Sequence, residues 1–193
     1  MSDPAPIHEH ALRNLRYIRE TMERAGAFTS IPGWGGVIIG ISAVITAIVT
    51  DTKEGKAWLL CWLAEAAFAA IVGAVAIAMK AKRNEVSFSD ASARRFFISY
   101  FAPMIAGAVL TLVLVRAELY SALPAAWLLL YGTSFISSGA FSIEVVPIMG
   151  VCFMLLGGLA SFASPTIANV LMGVGFGGLH IVFGAIIARR YGG

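Results

Sequence analysis

Two ionisable side chains interrupt long apolar stretches of this 193-residue chain. Glu65 lies within CWLAEAAFAA, residues 61–70, and His180 lies within GVGFGGLHIVFG, residues 173–184. Ionisable groups inside apolar helices are costly, and they commonly mark ion pathways or proton relays. We therefore interpret Glu65 and His180 as candidate binding residues for a proton or a cation. The alternative is structural: each side chain only forms hydrogen bonds with a neighbouring helix.

Small residues share a helical stripe with each of these two side chains. Steps of four and three residues align Glu65 with Cys61, Ala69, Gly73 and Ala76. The same steps align His180 with Gly173, Gly177 and Gly184. Small residues let helix backbones approach closely, and packing drives helix association in lipid. Both stripes are therefore predicted to face another helix rather than lipid.

Other chemistry has weaker support in the sequence. The side chains of Met149, Cys152, Met154, Met172 and His180 are types that bind soft metals, but Met and Cys in apolar helices commonly only pack. The sequence has no Walker A, HExxH or G-x-S-x-G motif. We therefore predict no catalytic residue, no metal site and no cofactor, and nothing in the sequence favours an enzyme.

Composition indicates a membrane protein. Hydrophobic residues make up 59% of the chain and charged residues 13%, whereas soluble domains have roughly a quarter charged residues. A single soluble core of this length has no room for so much apolar surface. The net charge of +3 lies beside apolar segments, so it indicates membrane orientation and not nucleic-acid binding.

Six apolar segments are long enough, or nearly so, to cross a bilayer, which needs about 20 residues. They cover roughly 33–50, 57–79, 97–116, 123–139, 143–162 and 167–188. The predicted fold is an all-α polytopic membrane bundle, with short loops that leave no room for an external domain. The domain prediction is a cytoplasmic helix in 1–28 followed by one transmembrane helical domain in 29–193.

Positive charge predicts the orientation of the bundle. Lys and Arg concentrate before the first segment, between the second and third, and after the last. Such clusters favour the cytoplasmic side. We expect a multi-pass protein of the cell (inner) membrane with both termini cytoplasmic. No cleavable signal peptide is expected, because the N-terminus is charged and lacks an apolar core.

The N-terminal segment predicts an amphipathic helix. Its apolar side chains recur at steps of four and three, on one stripe: Ala11, Leu15, Ile18, Met22 and Ala25. Such a helix lies on a membrane surface or docks a partner.

Two functions remain open from the sequence. The first is a small transporter or channel-like protein that moves protons, cations or a small solute past Glu65 and His180. The second is a non-catalytic membrane subunit or regulator that docks a cytoplasmic or membrane protein partner through residues 7–25. Glycine-rich stripes also favour a homo-oligomer in the lipid bilayer.

Overall fold

The structure is a computed structural model that describes Asn14, residues 28–85 and residues 87–192. The amphipathic helix predicted in the N-terminal segment lies outside the described residues. The all-α fold is confirmed for the part of the chain that is described: it contains no strand, and a single isolated bridge joins Phe28 to Ser142.

Six helices occupy the six predicted apolar segments. They are α1 Gly33–Val49, α2 Gly55–Arg83, α3 Ala91–Arg116, α4 Leu123–Gly139, α5 Val145–Ala160 and α6 Pro165–Arg190. A short 3-10 turn, Tyr120–Ala122, precedes α4. Prolines begin α4 and α6 at their first turn, where a missing N–H costs nothing.

Three of these helices are long and apolar enough to cross a membrane. They are α2, α3 and α6, with 29, 26 and 26 residues. At about 1.5 Å per residue, 26 residues extend about 39 Å, more than the roughly 30 Å hydrocarbon core of a bilayer. Large apolar side chains such as Leu60, Ile71 and Leu112 are exposed on α2 and α3. These helices indicate membrane association.

Glycines seven residues apart join α1 and α6, which run antiparallel. A Cβ atom added to Gly40 would lie 2.7 Å from the carbonyl oxygen of Gly177. One added to Gly184 would lie 2.8 Å from the carbonyl oxygen of Gly33. These distances leave no room for a methyl group, so all four positions bring the two backbones into direct contact.

The same arrangement recurs between α4 and α5. Gly132 and Gly139 of α4 are seven residues apart, as are Gly150 and Gly157 of α5. A Cβ atom on either Gly132 or Gly150 would lie 2.7 Å from the other residue's carbonyl oxygen. The bundle therefore contains two antiparallel helix pairs built on one spacing. The sequence predicts Gly177 and Gly184 of the first pair as packing residues, but none of the glycines of the second pair.

The remaining two helices pack against one member of each pair. Helix α2 lies on α1, where a Cβ atom at Gly35 would lie 2.7 Å from Ala76 Cβ. Helix α3 lies on α4, and the Trp127 indole N–H donates to Thr111 Oγ1 at 2.8 Å. Aromatic rings fill the space between the pairs, where Tyr131 contacts Phe153 and Phe176 with ring centroids 4.9 Å apart in each case.

A buried lysine joins three segments at one end of the bundle. The Lys80 side chain on α2 is only 4% exposed. Its ammonium donates to the carbonyl oxygens of Ile31 at 2.9 Å, Tyr191 at 3.0 Å and Gly192. Three carbonyl acceptors satisfy the three N–H donors that burial takes from water. The start of α1 and the end of α6 therefore meet at Lys80.

Candidate functional site

Glu65 faces α1 and is held by two hydroxyl groups. Its Oε1 lies 2.7 Å from Ser42 Oγ, and its Oε2 lies 3.2 Å from Thr46 Oγ1. The side chain is 9% exposed, so it is covered by protein rather than by lipid. The small residues Gly73 and Ala76 on its stripe also face α1, as predicted. The role of Glu65 in binding remains a prediction.

The hydroxyl partners belong to a polar stripe along α1. Ser42, Thr46 and Thr50 are spaced by four residues, so they lie on one face of the helix. Thr50 Oγ1 donates back to the Thr46 carbonyl at 2.7 Å. The stripe runs from Glu65 to the end of α1, beside the exposed Asp51.

An asparagine that the sequence analysis missed completes this stripe. The Oδ1 atom of Asn169, near the start of α6, accepts from Trp58 Nε1 at 2.8 Å, Thr50 Oγ1 at 3.0 Å and Trp62 Nε1 at 3.2 Å. Its Nδ2 donates to the Ala47 carbonyl at 2.9 Å. Asn169 is buried, and it connects α1, α2 and α6 through side-chain hydrogen bonds.

The middle of α6 departs from α-helical geometry. Residues Gly173–Leu179 form a π-helix, in which each N–H bonds the carbonyl five residues earlier. Such segments are rare and occur frequently at functional sites. Positions 173, 175 and 177 leave no room for a Cβ atom, while Gly178 faces open space. The π-helix lies between Asn169 and His180.

His180 follows the π-helix directly and faces the bundle interior. It is 5% exposed, and its Nε2 lies 2.9 Å from the Tyr131 hydroxyl. Its Nδ1 is buried and has no hydrogen-bond partner among the described residues. The carbonyls of Gly175 and Phe176 lie near the imidazole, but neither reaches Nδ1 with hydrogen-bond geometry. The ring therefore has one partnered and one unpartnered nitrogen.

A small cavity of about 50 Å³ adjoins His180. Its wall includes Gly36, Phe135, Val146 and Met149, and it extends to Ile31 at the end of the bundle. A second, shallower groove of about 390 Å³ lies on α3 and is lined by apolar residues such as Phe97 and Phe101. Neither space includes Glu65 in its lining.

The structure keeps Glu65 and His180 in separate polar groups. No hydrogen bond joins them within the described residues: Glu65 bonds α1, whereas His180 bonds α4. Aromatic rings separate the two groups. Trp62, one turn from Glu65, packs on Phe176, one turn from His180, with ring centroids 6.1 Å apart.

The soft-metal set stays dispersed. Met149 and His180 line the same cavity, but Cys152 is only half-buried and Met154 is exposed. Within residues 28–85 and 87–192, no group of three or more His, Cys, Asp or Glu side chains is placed to hold a metal ion.

Comparison of the chain with protein-family models, curated proteins and solved structures finds no match. The class of the protein therefore rests on the helices themselves. Over the residues that the structure describes, it is an all-helical protein in which three helices are of membrane-spanning length.

Proposed function

We propose that this chain is a small six-span transporter or channel-like protein that carries protons, with Glu65 as the residue that binds and releases them. The six-span arrangement is supported by the packing of the shorter helices α1, α4 and α5 alongside the three long ones. Seventeen residues, as in α1 and α4, extend about 26 Å, which a locally thinned bilayer accommodates. Both termini are then on the cytoplasmic side.

The hydrogen bonds that Ser42 can form are the main support for this proposal. Ser42 Oγ lies 2.7 Å from Glu65 Oε1 and 2.9 Å from the Ile39 carbonyl oxygen, and both oxygens are acceptors when Glu65 is ionised. A hydroxyl group has one proton, so it satisfies only one of them. When Glu65 carries a proton, Oε1–H donates to Ser42 and Ser42 donates to Ile39. Both bonds are then complete, so the arrangement suits a carboxyl group that takes up a proton.

The stripe on α1 supplies a route for that proton. Thr46 and Thr50 continue from Ser42 towards the end of the helix, where Asp51 is exposed. Hydroxyl groups both donate and accept, so this stripe can pass protons where water bridges its hydroxyls. Such a bridge is needed because Thr50 Oγ1 bonds the Thr46 carbonyl and not the Thr46 hydroxyl. Ser42 and Thr46 both hydrogen-bond the carboxylate directly. These bonds support a proton as the transported species, because each can carry a proton to or from Glu65.

Proton flux into liposomes tests this proposal. Full-length protein is reconstituted with a pH-sensitive dye inside, and a proton gradient is imposed across the membrane. We expect flux in the wild type and loss of flux in Glu65→Gln, because glutamine keeps the size of the side chain but cannot exchange a proton. The matched control is Glu144→Gln, the same change at an exposed position, which retains flux.

Equal flux in the wild type and Glu65→Gln would remove Glu65 from the mechanism. A sodium or potassium gradient without a pH gradient provides a further arm. Loss of cation flux in Glu65→Gln, without any proton flux in the wild type, would replace the proton with a cation as the transported species.

A second candidate function is a non-catalytic membrane subunit or regulator. It is favoured by the close packing of the bundle, because neither described space reaches Glu65. Glu65 then only joins α1 to α2, and the N-terminal segment docks a partner. This candidate expects no flux in the wild type and a defined complex that native mass spectrometry detects and deletion of residues 1–25 removes.

We also propose that the chain forms a homo-oligomer, as its glycine-rich stripes predict. The stripe that contains Gly177 and Gly184 is already used within one chain, where it packs α6 against α1.

A further inference from the structure

Two buried polar atoms lack hydrogen-bond partners near one end of the bundle. Among the described residues, the buried side-chain atoms without a partner are His180 Nδ1 and Ser30 Oγ. A buried polar group without a partner costs roughly 1–3 kcal/mol, so native proteins rarely leave one unsatisfied. Ordered water is the usual remedy. Ser30 precedes Ile31, which lines the cavity that His180 also lines.

The size of this cavity suits water. Its volume of about 50 Å³ exceeds the roughly 10–15 Å³ that one water molecule requires. Apolar cavities stay dry unless several polar groups face them. Here His180 supplies one polar group. A second lies beside it, because the Cβ position of Gly36, another residue of the lining, is 3.6 Å from the His180 carbonyl oxygen.

We propose that this cavity is a water-binding site and that its water hydrogen-bonds His180 Nδ1. The site extends from His180 to Ile31, whose carbonyl accepts from Lys80 at the end of the bundle. Water there links the imidazole to that end, and Nε2 links it to Tyr131 in the interior. The site is at the opposite end of α1 from Thr50. It does not depend on proton flux through Glu65.

Solid-state NMR of the full-length protein in lipid bilayers tests this site. The chain has three histidines, so replacing His8 and His10 by Gln leaves the imidazole of His180 as the only histidine signal. We expect magnetisation to pass from water protons to the Nδ1 nitrogen of the otherwise unchanged protein. No transfer to Nδ1 would overturn the proposal.

Filling the cavity provides the decisive variant. A Cβ atom at Gly36 would meet Gly184 Cα at 3.5 Å, an ordinary contact, so Gly36→Ala fits without moving the backbone. Adding Val146→Ile fills more of the space. We expect the transfer from water to Nδ1 to be lost in this double variant.

The matched control is Gly73→Ala, whose new methyl group would lie 3.8 Å from Ile39 Cδ1 and outside the cavity lining. It retains the transfer. Transfer that persists in the double variant would place the water elsewhere and overturn the site. Flux measured on the same samples separates the two proposals, because loss of flux in Glu65→Gln leaves the Nδ1 signal unchanged.

Discussion

The Asn169 side chain forms four hydrogen bonds beside the polar stripe. Its Oδ1 accepts from three donors, which come from α1 and α2. Two of the donors are indole N–H groups of Trp58 and Trp62, whose side chains are buried away from solvent. This amide therefore connects three helices at the point where the stripe approaches the surface.

Replacing Asn169 by Ala leaves the indole N–H groups of Trp58 and Trp62 without this acceptor. Thr50 Oγ1 keeps the Thr46 and Ala47 carbonyls as acceptors. We expect the free energy of unfolding to fall by about 1–3 kcal/mol, because unsatisfied buried donors are costly although membrane hydrogen bonds are individually weak. Titration with denaturing detergent, followed by tryptophan fluorescence, measures the change. Asn84→Ala, at an exposed site after α2, is the control and leaves the stability unchanged. Equal stability of both variants would contradict the structural role of Asn169.

Candidate site residues were predictable from the sequence where their residue type is rare in the apolar segments. Glu65 and His180 stand out because few ionisable groups interrupt the apolar segments. The sequence does not single out Asn169, because an asparagine near the start of an apolar segment is also typical of a helix end. The signals that identify its partners are the four-residue spacing of Ser42, Thr46 and Thr50, and that of Trp58 and Trp62.

At the scale of the helix, the two glycine-paired interfaces require glycine at their contact positions. At the glycine positions of α4 and α5 the two backbones are in direct contact, and there is no space for a methyl group. Overpacking of a close interface costs typically 1–3 kcal/mol, because the backbones must separate.

Gly150→Ala tests whether glycine is required in the α4–α5 interface. Its new Cβ would lie 2.7 Å from the Gly132 carbonyl oxygen and 2.9 Å from the Ile136 nitrogen, so we expect stability to fall by about 1–3 kcal/mol. Gly158→Ala, on the same helix, meets nothing within 4 Å and is the matched control. The control is expected to gain about 0.5–1 kcal/mol from lower backbone entropy in the unfolded state. Detergent unfolding monitored by circular dichroism compares the two, and a Gly150→Ala variant as stable as the control would refute the close contact.

The positions of the helices were predictable, but their irregularities were not. Apolar runs and the polar residues between them located all six helices. The π-helix in α6 was missed, because GVGFGG fits the glycine pattern of an ordinary packed α-helix equally well. The residues that pack closely on its glycines, such as Ala47 and Leu128, come from other helices and are absent from the local sequence.

For the molecule as a whole, membrane topology is the property that the charge pattern predicts and labelling measures. Cysteine variants are made in a background where Cys61 and Cys152 are replaced by Ala. With a membrane-impermeant maleimide on intact cells, we expect labelling at Lys53→Cys, Glu118→Cys and Ser161→Cys, which lie outside in a six-span chain.

Lys82→Cys, at an exposed position on the predicted cytoplasmic side, is expected to react only after the membrane is permeabilised. Protection of Glu118→Cys or Ser161→Cys in intact cells would contradict the six-span topology. The sequence alone did not reveal which helices are neighbours, because the contact between α1 and α6 joins residues more than a hundred positions apart.

Lys80 fastens the segment before α1 and the segment after α6 to the same side chain of α2. Its ammonium donates to main-chain oxygens at residue 31 and at residues 191 and 192. The segment before α1 has a second attachment, because the Phe28 N–H donates to the Phe141 carbonyl and Ser142 Oγ donates to the Phe28 carbonyl. Removing the ammonium alone would therefore release the end of α6 while Phe28 keeps the other segment in place.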